Sequence, residues 1–168
     1  MVQFFYKEES APKPTLPPSV GCIAFIQNNG KYLLEHRSDS SRWAFIGGGV
    51  EKNESFEECL IREVLEETNL NVSKYKLETT FSDPSRIIRY DDGNSKRIIT
   101  IAYSVEIEDF KTLQISHESQ ELRFVDIISL ENIKMAETHI PCLQYLLELH
   151  TGIVAHKYCS FSPNEDKS

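Results

Sequence analysis

Two largely apolar runs near the front of the chain, 21–27 and 32–36, flank Asn28-Asn29-Gly30. Asn and Gly tolerate the positive φ that a tight reversal needs, so this pattern predicts a β-hairpin. A third strand is predicted at 43–46. Beyond Gly47-Gly48-Gly49 the period changes: Phe56, Cys59, Leu60 and Val64 recur at helical spacing. That stripe predicts a helix over 55–68 that buries its apolar side and turns its carboxylates outward. Further strands are predicted at 75–81, 97–108 and 121–125. The segment 138–150 carries Ile140, Leu143, Leu146 and Leu147 at helical spacing, which predicts a second amphipathic helix on the opposite face of the sheet. Strands interleaved with helices give an α/β class.

Outside this core the pattern weakens. A short strand is predicted at 2–6, followed by a connector over 10–19 in which Pro12, Pro14, Pro17 and Pro18 exclude a helix. The expected division is an N-terminal strand and connector over 1–19, one domain over 20–151, and a polar tail over 152–168.

Composition narrows the function classes. A formal charge of -8 over 168 residues leaves no basic footprint for a nucleic acid polymer, although a bound divalent cation could still attract phosphate. No long apolar run predicts a membrane span, and the first residues lack a basic flank leading into one. Cys22, Cys59, Cys142 and Cys159 are widely spaced, which favours reduced thiols over structural zinc. A cytoplasmic protein is the expectation.

The chemistry concentrates on the first helix. Glu63, Glu66 and Glu67 are i, i+3 and i+4 neighbours, an arrangement that places like charges on adjacent turns. The repulsion, a few tenths of a kcal/mol per pair, has no structural compensation unless a cation sits among them. Hard oxygen ligands suit Mg²⁺ or Mn²⁺, which bridge phosphate oxygens and hold an attacking water.

The spacing from Gly48 to Glu54 and on to Arg62-Glu63-Val64-Leu65-Glu66-Glu67-Thr68-Asn69-Leu70 resembles the Nudix box, G-x5-E-x7-R-E-U-x-E-E-x-G-U with U aliphatic. Asn69 replaces the last glycine and is expected to end the helix in the same left-handed conformation. The resemblance spans about 20–150 and implies a Nudix-type α/β/α sandwich with a mixed β-sheet. It also implies metal ligands at Glu63, Glu66, Glu67 and the carbonyl of Gly47. Arg62 would orient Glu66, while Glu54 would steady the loop.

Other roles are more variable among relatives. The resemblance offers Glu118 as general base, with Glu121 or Glu63 as alternatives, and Arg37 as a phosphate contact. Trp43 and Phe45 could stack on a base. The stretch from Phe81 through Asp83-Pro84 to Arg86, followed by Arg89-Tyr90, is similar to one in a branch of ADP-ribose hydrolases. It could instead be a polar hairpin turning at Asp92-Gly93-Asn94. The resemblance therefore implies hydrolysis of a nucleoside diphosphate linked to another moiety, with ADP-ribose-like substrates favoured. A MutT-like nucleoside triphosphate pyrophosphohydrolase is the alternative, and a non-catalytic nucleotide sensor is the competing class. A small nucleotide is the expected partner, and the N-terminal strand could pair with a second subunit in a homodimer.

Overall fold

A computed structural model of the chain describes residues 1–151. Its strands are β1 (Gln3–Phe5), β2 (Ser19–Asn28), β3 (Lys31–Arg37), β4 (Trp43–Gly49), β5 (Val72–Phe81), β6 (Ile87–Arg89), β7 (Ser95–Ile107) and β8 (Ser119–Asp126). The helices are α1 (Phe56–Thr68) and α2 (Ile140–Thr151), with short 3-10 segments before α2. The strands form one sheet in the order β1-β6-β7-β2-β4-β3-β8, and β5 also pairs with β7. β2 and β7 run parallel and the other pairs antiparallel, so the sheet is mixed.

Alternation along β2 explains why both faces are covered. Cys22, Ala24 and Ile26 pack with Cys59, Leu60 and Val64 of α1. Ile23 and Phe25 point the other way and pack with Cys142, Leu143 and Leu146 of α2. The two helices therefore sandwich the central strands, as the two separate stripes predict.

Local chemistry fixes the ends of α1. Ser55 caps it by accepting from the Glu58 amide at 3.1 Å, while the Glu58 carboxylate accepts from the Ser55 amide at 2.7 Å. At the other end Asn69 is left-handed, with φ 56° and ψ 27°. Its amide donates to the Leu65 carbonyl at 2.8 Å, and its side chain donates to the Thr112 carbonyl at 3.0 Å. The latter bond ties the helix end to the loop before β8.

The region after β5 is the hairpin reading. β6 and β7 pair across a turn closed by Tyr90 and Asn94, and β1 adds to the free edge of β6. The proline connector follows the same hairpin, since the Thr15 and Leu16 amides both donate to the Ser95 carbonyl. The 152–168 tail lies outside the described residues.

Candidate active site

The β4–α1 junction brings the box residues together through one arginine. Arg62 donates to Glu54 through Nε (2.9 Å) and Nη2 (2.6 Å), and to the Gly49 carbonyl at 3.1 Å. Its Nη1 spans Glu63 at 2.8 Å and Glu66 at 3.1 Å. The rigid guanidinium thus links the loop before α1 to two carboxylates on the helix. It also holds the Glu54 carboxyl down to about 2, and Glu54 in turn accepts from the Glu51 amide at 2.7 Å.

Two glycines allow this packing for different reasons. Gly47 has φ +145°, and a Cβ there would run into the backbone of Cys22 and Ile23 on the neighbouring strand. A Cβ on Gly48 would instead collide with the carboxylate of Glu63. Bare backbone at Gly48 is what lets that carboxylate lie against the loop.

The helix carboxylates do not all face outward. Glu67 is three residues after Val64 and seven after Leu60, which on a helix returns it to nearly the same side as the apolar stripe. It is 6 % exposed and accepts from the Gly47 amide at 2.9 Å. Burial, then the like charge of Glu35, pushes its pKa well above the usual carboxylate range. Glu63 is half-buried and shifted up by burial, with Arg62 opposing. Glu66 alone of the three is exposed, with a side-chain exposure of 60 %.

A fourth carboxylate joins them from β3. Glu35 is 1 % exposed, accepts from Arg37 Nη1 at 3.2 Å and from the Ser119 hydroxyl at 2.7 Å, and is raised in pKa by burial. Its signal in the sequence was a glutamate inside the run Tyr32-Leu33-Leu34-Glu35, where a central strand is buried on both faces. Glu118, just before β8, reaches the same field: its charge acts on both Glu63 and Glu35. Ser38 secures that loop, its amide and hydroxyl donating to the Glu118 carbonyl at 3.0 Å and 2.6 Å. Glu121 is forked with Arg123 at 2.7 Å and 2.8 Å.

Several expected substrate contacts are engaged elsewhere. Arg86 is fully buried and donates to the carbonyls of Thr138 (2.9 Å), Phe81 (2.6 Å) and Ile98 (3.4 Å) and to the Thr100 hydroxyl (2.8 Å). It crosslinks the β5–β6 turn to β7 and to the segment before α2, and is closed off from solvent. Phe45 is also fully buried, edge-on to Phe25 and stacked on His139, because β4 is a central strand with both faces covered. It cannot stack on a base. Trp43 is partly exposed but carries His36 stacked at 4.9 Å and Arg123 over its ring at 4.7 Å. Arg37 is held by Glu35 and, at 3.0 Å and 2.6 Å, by Asp39. Arg89 is exposed on β6.

Among the described residues no three His, Cys, Asp or Glu side chains are drawn together as metal ligands; Arg62 lies between Glu63 and Glu66 instead. The donor set nevertheless fits a hard divalent cation. Glu63 and Glu67 are carboxylates whose ionised forms are disfavoured by burial and by neighbouring negative charge, and a cation would relieve both.

A family model for the NUDIX domain matches residues 15–146. The nucleoside triphosphatase NudI of Salmonella agona is 33% identical over 131 residues, covering 73% of this chain and 93% of that protein. The solution structure of the E. coli ORF135 protein superposes with a TM-score of 0.66 at 27% identity, over 86% of this chain and 99% of that one. A bifunctional NMN adenylyltransferase/ADP ribose pyrophosphatase from Francisella tularensis shares the fold, with a TM-score of 0.61 at 22% identity over 82% of this chain and 43% of that one. The box geometry and the extent of these matches place the chain in the Nudix family of hydrolases.

Proposed function

We propose that this hydrolase cleaves nucleoside triphosphates to the monophosphate and pyrophosphate, using Mg²⁺ or Mn²⁺ at the β4–α1 junction. The observation that carries the choice of substrate is the burial of Arg86. The ADP-ribose-like reading drew on Arg86 and Arg89 to hold a second phosphate or terminal ribose; Arg86 is spent on backbone carbonyls and the Thr100 hydroxyl, and of the two only Arg89 stays exposed. The similarity to a nucleoside triphosphatase supports the same direction.

In this reading Glu63, Glu66, Glu67 and the Gly47 carbonyl hold the metal. The metal supplies charge neutralisation on the phosphates and acidifies water. Arg62 sets the rotamers of Glu63 and Glu66 and joins them to Glu54, so that the carboxylates are positioned before substrate arrives. Glu118 is the general base: it accepts the proton as water attacks phosphorus, and the P–O bond between the α- and β-phosphates breaks, so that the monophosphate and pyrophosphate separate. Its carbonyl is pinned by Ser38 while its side chain stays accessible.

Product analysis on a panel of nucleoside triphosphates and ADP-ribose tests this reading. The expected result is pyrophosphate with the monophosphate, formed at higher kcat/KM than AMP from ADP-ribose. A preference for ADP-ribose would reject it.

A further inference from the structure

Glu35 lies outside the box, yet it is more deeply buried than any box carboxylate. A buried carboxylate beside another, Glu67, is an arrangement a stable core avoids, because each penalises the charge of the other. A hydrophobic residue in this central strand would pack without that penalty. The neighbours of Glu35 indicate what it accomplishes. One oxygen accepts from Ser119 at 2.7 Å, at the start of β8 and next to Glu118. The other accepts from Arg37 at 3.2 Å, which is also bound to Asp39. At Arg37 and Ser119 the ladder between β3 and β8 shifts register, so side chains, in addition to regular strand pairing, hold that end of β8.

Charge leads the same way. Arg37 is bonded to both Glu35 and Asp39, so one guanidinium is shared by two carboxylates while Glu67 lies within electrostatic reach. A divalent cation bound at Glu67 would favour the ionised form of Glu35 and be attracted by it. It would also be framed by a loop that Glu35 keeps in place.

We propose that Glu35 is a positioning residue of the metal site: it ties the Glu118 loop to β3 and, when ionised by a bound cation, adds negative charge that tightens it. The inference rests on the metal-dependent reading above and goes beyond it, because Glu35 is not part of the box. Partners that hold or surround metal ligands commonly change affinity 10–100-fold when altered.

The test is Mn²⁺ binding to the whole chain, read as free Mn²⁺ by electron paramagnetic resonance without nucleotide. Glu35→Gln keeps an acceptor for Ser119 but removes the charge, and its Mn²⁺ dissociation constant is expected to rise about 10-fold. Ser119→Ala cuts the tie at the other end and is expected to raise the constant at least about 3-fold, with a lower kcat and little change in KM. It serves independently should Glu35→Gln fail to fold. Wild-type Mn²⁺ affinity in either folded variant overturns the proposal. The Mn²⁺ readout contains no substrate, so an error in the triphosphate reading leaves it standing. A wild-type chain that binds no Mn²⁺ overturns both.

Discussion

The carboxylate of Glu63 occupies the space that a Cβ on Gly48 would take. The obstacle is the end of a flexible side chain, not backbone, so Gly48→Ala can be accommodated by swinging Glu63 away. Stability should therefore change by less than about 1 kcal/mol, while turnover falls at least about 100-fold through loss of a preorganised ligand. Thermal unfolding beside steady-state kinetics checks this. A large loss of stability with normal turnover would show that Gly48 serves the fold and not the site.

Arg62→Lys retains the charge but not the fork. Arg62 uses three nitrogens to reach Glu54, Glu63, Glu66 and the Gly49 carbonyl, and an ammonium on a flexible stem cannot hold them together. We expect kcat to drop about 10–100-fold, with Glu54→Gln giving part of the same loss. The double variant should be less than additive, as the two residues act through one contact.

Arg86→Ala should behave as a core mutation. It leaves the Phe81 and Thr138 carbonyls and the Thr100 hydroxyl without their donor and opens a cavity, at a cost of about 3–5 kcal/mol by chemical denaturation. Any loss of activity should then fall equally on all nucleotides. A selective loss of ADP-ribose turnover in a normally stable protein would restore Arg86 as a ligand contact.

Stability should fall with acid because of His139. Its Nδ1 accepts from the Phe45 amide at 3.2 Å and its ring stacks on Phe45, so the neutral form is the one the fold holds. Burial, with Arg86 and Arg37 nearby, brings its pKa down from 6.5 to about 3. Between those values the unfolded chain binds a proton that the folded chain does not, so stability declines as pH drops below 6.5. The ceiling is about 1.4 kcal/mol per pH unit, reduced because the residue is only partly buried. Urea unfolding at neutral and mildly acidic pH should show a smaller acid loss in His139→Gln than in the parent.

The fold and the box were legible because each left a local mark. The stripes on α1 and α2 and the Asn29-Gly30 turn all act within a few residues. Asn69 reads the same way, since it takes the left-handed cap. Its bond to Thr112 was not legible, as it joins residues 43 apart. Arg86 and Phe45 misled for a related reason. An arginine in a polar turn and an aromatic in a short strand look available until β7 and the segment before α2 close over Arg86, and Phe25 and His139 over Phe45. Glu35 escaped notice because its partners, Arg37, Ser119 and Glu67, come from three separate elements.

The Thr112 bond also sets the outcome of Asn69→Gly. Glycine relieves the left-handed strain but gives up the side-chain bond, and both contributions are of order 1 kcal/mol or less. The melting temperature should move by no more than a few degrees, with activity intact. A gain of stability larger than that would mean the exposed bond contributes nothing.

Glu67→Gln asks whether the box carboxylates hold the metal proposed to drive hydrolysis. Glu67 is buried beside Glu35 and disfavours its own charge, so a neutral isostere should leave the fold as stable or slightly more so. Turnover of nucleoside triphosphate at saturating Mg²⁺ should nevertheless fall at least about 100-fold, because a proposed metal ligand is lost. The measurement is kcat of the folded variant against the parent. A deep loss in a fully folded protein is expected, and near-parental kcat would remove Glu67 from the metal site and hydrolysis from the box carboxylates.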